Sequence, residues 1–228
     1  MRRWAPLLAA LLLVAGCSET VGGRSQPSKL TPLPSPPSRS STTTSPSVPV
    51  PTAAPEPGAP VAGVAAWIAA GIPADIAPFH TATRDGTETN LRDDVAFTTP
   101  SGKTRCATLS RYVPSLMCLV ELKNPPPKPS EVEIHWAGGW VEFDGRSLAV
   151  GSFHGDPGPF ANGDGPQLAY GQTLKFGEYQ CRSDQAGLYC TTDAHESAVR
   201  YSDSGIEPFG CLRPVTPPPP DIGLQFSC

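Results

Sequence analysis

The chain changes its pattern of apolar and polar positions as it runs. An unbroken apolar run, Ala5 to Gly16, follows Met1-Arg2-Arg3-Trp4 and stops at Cys17. From Arg24 to Pro60 there is no apolar periodicity, only Ser and Thr interleaved with Pro. Beyond that, short apolar–polar alternations take over, each bounded by Gly, Asp, Ser or Pro. This is the pattern of half-buried strands joined by tight turns. One stretch differs: Ala62 to Ala70 reads as a short helix ended by Gly71, or as a strand at the domain's edge.

The alternations predict hairpins. Tyr179–Ser183 and Leu188–Thr192 flank Asp184-Gln185-Ala186-Gly187, and a four-residue loop closed by Ser183 and Leu188 puts Cys181 opposite Cys190. Facing residues of an antiparallel pair are close enough for a disulfide. A second unit repeats the plan: Phe97 leads to Cys106, and a longer loop leads to Leu116-Met117-Cys118. Trp140–Phe143 and Arg146–Val150 flank Asp144-Gly145, a two-residue turn signal that sets Val141 opposite Leu148. Leu174-Lys175-Phe176 feeds the Cys181 strand, and Val199–Tyr201 and Ile206-Glu207 flank the turn Ser202 to Gly205. The fold class expected is mainly β: antiparallel hairpins in a small sandwich or open barrel.

Cysteine usage adds a covalent frame. Apart from Cys17 there are six cysteines, all after residue 100. An even number in an exported chain implies three disulfides, of which 15 pairings are possible in principle. The spacing favours sequential pairs: Cys106–Cys118, Cys181–Cys190 and Cys211–Cys228. The last encloses Pro217 to Pro220 and ties down a C-terminal arm with little strand content. Each staple contributes roughly 3 kcal/mol on the loop-entropy estimate.

The N-terminal run carries an address. Two arginines, a short apolar run and a small-residue stop form an export signal. The run is too short for a spanning helix, which needs roughly 20 residues. Leu13-Val14-Ala15-Gly16-Cys17 has the form of a bacterial lipobox. There the Cys thiol is diacylated and the signal, residues 1–16, is cut before it. Acyl chains contribute about 0.8 kcal/mol per buried methylene, enough together to hold a protein on a membrane. Loss of Arg2 and Arg3 takes the net charge from −4 to −6, so lipid, and not basic residues, does the anchoring.

Residues 17–60 read as a tether. Between residues 24 and 60, 11 positions are Pro and 13 are Ser or Thr. Such a segment buries too little to offset its chain entropy, and its prolines favour extended conformations. The 43 residues from Ser18 to Pro60 span on the order of 130 Å at full extension and about 35 Å as a coil. Ser40 to Ser45 is a tract where O-linked sugars could sit. The folded domain is then 61–228. Net charge of −4 with no basic stripe argues against a nucleic-acid partner.

These features together resemble a family of actinobacterial cell-envelope lipoproteins, the mycobacterial LppI-like group. The resemblance lies in the lipobox at Cys17, the Pro/Ser/Thr tether and Val95-Ala96-Phe97 leading into Thr99-Pro100-Ser101-Gly102 before Cys106. Gly187-Leu188-Tyr189-Cys190 and Pro208-Phe209-Gly210-Cys211-Leu212-Arg213 complete it. Both hairpins are also similar to a widespread exported module that has Ser-Pro-Ser-Gly-Asn before its first Cys; here Lys103 stands where Asn is usual. The resemblance implies a location outside the membrane and a β fold, and it transfers no catalytic residue.

The search for chemistry is mostly negative. His80, His135, His154 and His195 show no metal-ligand spacing, so neither metal nor cofactor is expected. Gly151-Ser152-Phe153-His154-Gly155 has its serine one place early for a nucleophile elbow. Ser101-Gly102-Lys103-Thr104 imitates the end of a phosphate loop but lacks its first Gly. Phe153 to Pro166 is a long Gly/Pro tract, and such loops can carry function. Within it, Asn162-x-Asp164-Gly165 matches part of a calcium loop without its closing carboxylate, and His154 with Asp156 could form an acid–base pair. Trp136 and Trp140 could stack on a sugar or cover a lipid, or pack in the core. Glu131 and Glu133 add no motif. The ligand contacts expected are therefore Trp136, Trp140, Phe153, His154 and Asp156. The function expected is a non-catalytic binding module in the cell envelope, contacting a protein, glycan or lipid. A lipid or small-ligand carrier is the alternative, and a hydrolase would need His154 and Asp156 to gather a free serine.

Overall fold

The computed structural model describes residues 52–129, 135–192 and 196–228. The signal, Cys17, most of the tether, Glu131, Glu133 and His195 lie outside them. In chain order, helix α1 (Val61–Ala69) is followed by β1 (Ile72–Pro73), β2 (Thr81–Arg84) and β3 (Thr87–Asn90). Then come β4 (Ala96–Thr98), β5 (Thr104–Leu109), β6 (Val113–Val120), β7 (Trp136–Phe143) and β8 (Ser147–Phe153). The rest are β9 (Gln172–Phe176), β10 (Tyr179–Asp184), β11 (Gly187–Thr192), β12 (Ser197–Ser202), β13 (Gly205–Gly210), β14 (Arg213–Pro214) and β15 (Ile222–Ser227). They form a six-stranded sheet ordered β1-β9-β10-β11-β12-β13 and a seven-stranded sheet ordered β14-β15-β8-β7-β6-β5-β4. The hairpin β2–β3 stands apart from both. Pairing is antiparallel except for β1 with β9. Neither sheet closes into a barrel, and among the described residues no helix is long and apolar enough to cross a membrane.

The strand period of two builds one core between the sheets. Cys106, Leu116, Cys118, Val141, Phe143, Leu148 and Val150 face it from the seven-stranded sheet. Leu174, Cys181, Leu188, Cys190, Val199 and Tyr201 face it from the other. Two staples thus lie inside this core. Cys181 pairs with Cys190 and Cys106 with Cys118, each pair directly opposite in its hairpin, with Cα atoms 4.1 and 4.0 Å apart. Cys211–Cys228 closes the C-terminal hairpin at 5.0 Å.

Three local expectations change. The Cys181 hairpin keeps its register, but Asp184 pairs with Gly187, which leaves a two-residue turn. Around Asp144-Gly145, Val141 faces Val150 and Phe143 faces Leu148, so the loop holds four residues and Val141 does not face Leu148. The cause is Asp144, whose Oδ1 accepts N–H bonds from Arg146 (2.7 Å) and Ser147 (2.6 Å) and so widens the turn. The C-terminal arm is not strand-poor either. β15 pairs along β8 and seats Phe226 opposite Leu148, so its alternation serves the same core.

The outer face of the six-stranded sheet is sealed by α1. Val64, Trp67 and Ile68 share one helical face and are fully buried on Tyr189, Ala198 and Phe209. Arg182 lies 3.9 Å over the Trp67 ring and donates to the Trp67 carbonyl at 2.6 Å. Thr173 donates to the Ile68 carbonyl at 2.6 Å. Arg182 thus satisfies a carbonyl at the helix end, and Thr173 adds a second donor to the Ile68 carbonyl, which also accepts from the Gly71 N–H at 3.1 Å. Ala54 and Ala59 also pack here, and Tyr189 donates to the Pro55 carbonyl at 3.1 Å.

Candidate functional site

The outer face of the seven-stranded sheet is only partly covered. Ala96, Ala107, Met117 and Trp140 form an apolar floor, on which Ala82 of β2 and Phe160 pack. The tract from residue 154 to 166 is a strap lying across this floor, not a free loop. Asp164 exchanges backbone bonds with Thr83 (2.8 and 3.0 Å), and Thr98 donates to the Pro166 carbonyl at 2.9 Å. Its glycines permit that approach. A Cβ on Gly163 would sit 2.1 Å from the Thr83 oxygen, and one on Gly165 would sit 1.9 Å from the Ala96 oxygen.

Between strap, β2–β3 hairpin and sheet lies a cleft of about 620 Å³. Its walls include Arg84, Asp85, Arg105, His135, Ala137, Trp140, His154, Asp156 and Asp164. Arg105 Nη1 donates to Asp164 Oδ1 at 3.0 Å, and its guanidinium lies 5.6 Å over the Phe160 ring. Arg84 Nη1 donates to the Ala161 carbonyl at 3.0 Å. Each guanidinium has five N–H donors, so these bonds leave others to face a ligand. Asp156 Oδ1 accepts from the Gly158 N–H at 2.7 Å, which holds the strap's first turn.

His154 is the centre of the cleft's polar wall. Its ring stacks on Trp140 with centroids 3.5 Å apart, and Trp140 Nε1 donates to Glu142 Oε1 at 2.7 Å. Its Nε2 lies 2.6 Å from Ser152 Oγ. Burial pushes the His154 ring below its ordinary pKa; Glu142 and Asp156 oppose that shift and His135 adds to it.

The five expected contacts do not form one surface. His154, Asp156 and Trp140 line the cleft, although Trp140 is 4% exposed and acts as floor. Trp136 and Phe153 pack on each other, centroids 5.0 Å apart, and Trp136 Nε1 donates to the Pro126 carbonyl. Neither lines the cleft. A regular strand would place Trp136 and Trp140 on one face. The pairing shifts between Ala137 and Val141, and this bulge turns Trp140 outward while Trp136 stays on the other side. Opposite the shift, Gly151 holds a φ of +73°, and a Cβ there would sit 2.7 Å from the Trp136 ring.

His154 and Asp156 share the cleft without a direct bond; the partner of His154 is Ser152. Arg84, Asp85 and Arg105 carry no motif and were not expected; Asp164 lies in the tract singled out from the sequence, where it was read as part of an incomplete calcium loop and not as a partner of Arg105. The i, i+2 spacing of Ser152, on β8, and His154, just past its end, was the one signal that could have paired them. Among the described residues no group of His, Cys, Asp and Glu is placed to hold a metal ion. No known protein family, curated protein or solved structure matches the chain.

Proposed function

We propose that this chain is an exported lipoprotein whose β domain binds a neutral glycan in the bacterial cell envelope. Acyl chains on Cys17 hold it to the outer side of the cell membrane, and the tether lets the domain stand off in the wall layer. The observation that carries the glycan reading is the cleft's mixed lining. Two guanidinium groups and three carboxylates share about 620 Å³ with two imidazoles. Such a wall offers donors and acceptors together and favours no net charge, which suits a hydroxyl-rich ring. A lipid carrier would want an enclosed apolar cavity, and this cleft is charged.

The layers also support the reading. Residues 54–59 pack beside α1 on the outer face of the six-stranded sheet. The cleft opens on the outer face of the other sheet. The first described residues thus lie on one layer, and the cleft opens on the opposite one. The resemblance to actinobacterial envelope lipoproteins fits this placement.

Calorimetry of the full chain in detergent tests the binding. Titration with soluble dextran, galactan and arabinan oligomers should give saturable heat with at least one of them. Flat titrations with all three, together with saturable binding of a fatty acid, would replace this reading by the carrier. Cys17→Ala should move the protein out of the membrane fraction; retention there would remove the anchor from the proposal.

A further inference from the structure

Ser152 and His154 have a geometry that binding alone does not use. The Ser152 Oγ to His154 Nε2 distance of 2.6 Å is that of a nucleophile and its general base. Ser152 is partly exposed and pairs with Ala137, which lines the cleft, so it lies at the cleft's margin. We propose that Ser152 is a nucleophile activated by His154, and that the site takes a carboxylic ester carried on the hydroxyl-rich ligand of the cleft. The identity of the alcohol part rests on the glycan reading above; the reactivity of Ser152 does not.

The step balances with water as the only co-reactant. Ser152 Oγ bonds to the ester carbonyl carbon as its proton passes to His154 Nε2. The carbon–oxygen bond to the alcohol breaks, and the alcohol leaves with that proton. Water then adds to the acyl carbon, giving a proton to His154. The Ser152–acyl bond breaks, the carboxylic acid departs and the proton returns to Ser152.

The surroundings support both protonation states in turn. Burial keeps the free ring neutral at pH 7, as a base must be. When the ring takes the proton, Glu142 and Asp156 favour the charge and His135 opposes it. The Trp140 face beneath also attracts a cationic ring. Arg84 and Arg105 line the same cleft as cationic donors.

A fluorophosphonate probe reads this directly, because phosphonylation forms an oxygen–phosphorus bond to an activated serine and expels fluoride. The intact full chain in detergent should gain one adduct, mapped by peptide mass to Ser152. Ser152→Ala should remove the adduct while the melting transition stays cooperative. His154→Gln should slow labelling on the order of a hundredfold while leaving the melting transition cooperative. Ser110→Ala, which changes a serine outside the cleft, should label like the parent. The labelling rate of the parent should fall as pH drops and His154 gains its proton, a gain that burial of the ring opposes. Absence of an adduct on the folded protein, or an adduct that persists in Ser152→Ala, would overturn the proposal even if glycan binding stands. A labelled Ser152 with no glycan binding would keep the nucleophile and discard the polyol as its alcohol.

Discussion

The two outer faces of the sandwich start from the same material and end differently. On the six-stranded sheet, α1 lays Val64, Trp67 and Ile68 on Tyr189, Ala198 and Phe209, and every one of these is at most 3% exposed. On the seven-stranded sheet, a two-stranded hairpin and an irregular strap cover part of the floor and leave a charged cleft. A helix presents a continuous stripe and can seal a sheet. The hairpin and the strap are joined to each other at Thr83 with Asp164 and the strap to the sheet at Thr98 with Pro166, and the gap left between such points is where polar side chains gather. The sealed face is thus a stability element and the open face carries the candidate site.

The largest break in this contrast comes from Trp67→Ala. Truncating a fully buried Trp costs about 3–5 kcal/mol, and here it also removes the platform under Arg182. Urea unfolding should show that loss, with glycan affinity of the folded fraction unchanged. A loss below about 1 kcal/mol would mean that α1 is not part of the cooperative unit. The next largest effect separates the faces from the core they share. Changing Cys181 and Cys190 together to Ala should cost roughly 3 kcal/mol, and the same change at Cys106 and Cys118 should cost a similar amount. Both pairs lie in one core and close short loops. Equal shifts in melting temperature would fit that symmetry, whereas an unchanged transition in oxidising buffer would remove the staple from the argument.

The core was largely legible in the sequence, whereas the segment that seals the outer face read equally as a helix or an edge strand over Ala62 to Ala70. Alternation sets which residues share a face, so Cys181 and Cys190, or Leu174 entering the Cys181 strand, follow from counting by two. The open face was not legible for the same reason. Its floor depends on a bulge that breaks the count between Ala137 and Val141 and sends Trp136 and Trp140 to opposite sides. Its charged wall is assembled over long separations, with Arg105 meeting Asp164 across 59 residues. The strap's Gly and Pro content looks like that of a free loop, and only its backbone contacts with β2 and β4 show why glycine is needed. β15 was hidden because Pro217 to Pro220 dominate the segment, although Ile222 to Ser227 alternate well enough to pair with β8.

A smaller change sharpens the contrast at the cleft itself. Arg105→Ala removes a side chain that is 43% exposed and paired with a half-exposed Asp164. Its loss should change stability by less than about 1 kcal/mol. Glycan affinity should fall on the order of tenfold, since that guanidinium is one of the cleft's principal donors. An affinity loss matched by an equal stability loss would mean that Arg105 only holds the strap.

The smallest expected effect is the pH dependence that the open face alone confers. The folded pKa of His154 lies below its ordinary value of 6.5, chiefly because burial disfavours the charged ring. Between those two values the unfolded chain binds a proton that the folded chain does not, so stability falls as pH falls. The contribution is complete above pH 6.5 and is lost as pH drops through that value towards the folded pKa. Melting temperatures taken from pH 7.5 to pH 5 should therefore decline more steeply for the parent than for His154→Gln. Among the described residues the sealed face has no histidine, and Trp67→Ala should keep the parent's slope at its lower stability. Equal slopes for the parent and His154→Gln would mean that Glu142 and Asp156 offset the burial of the ring, and the cleft would then carry no pH signature of its own.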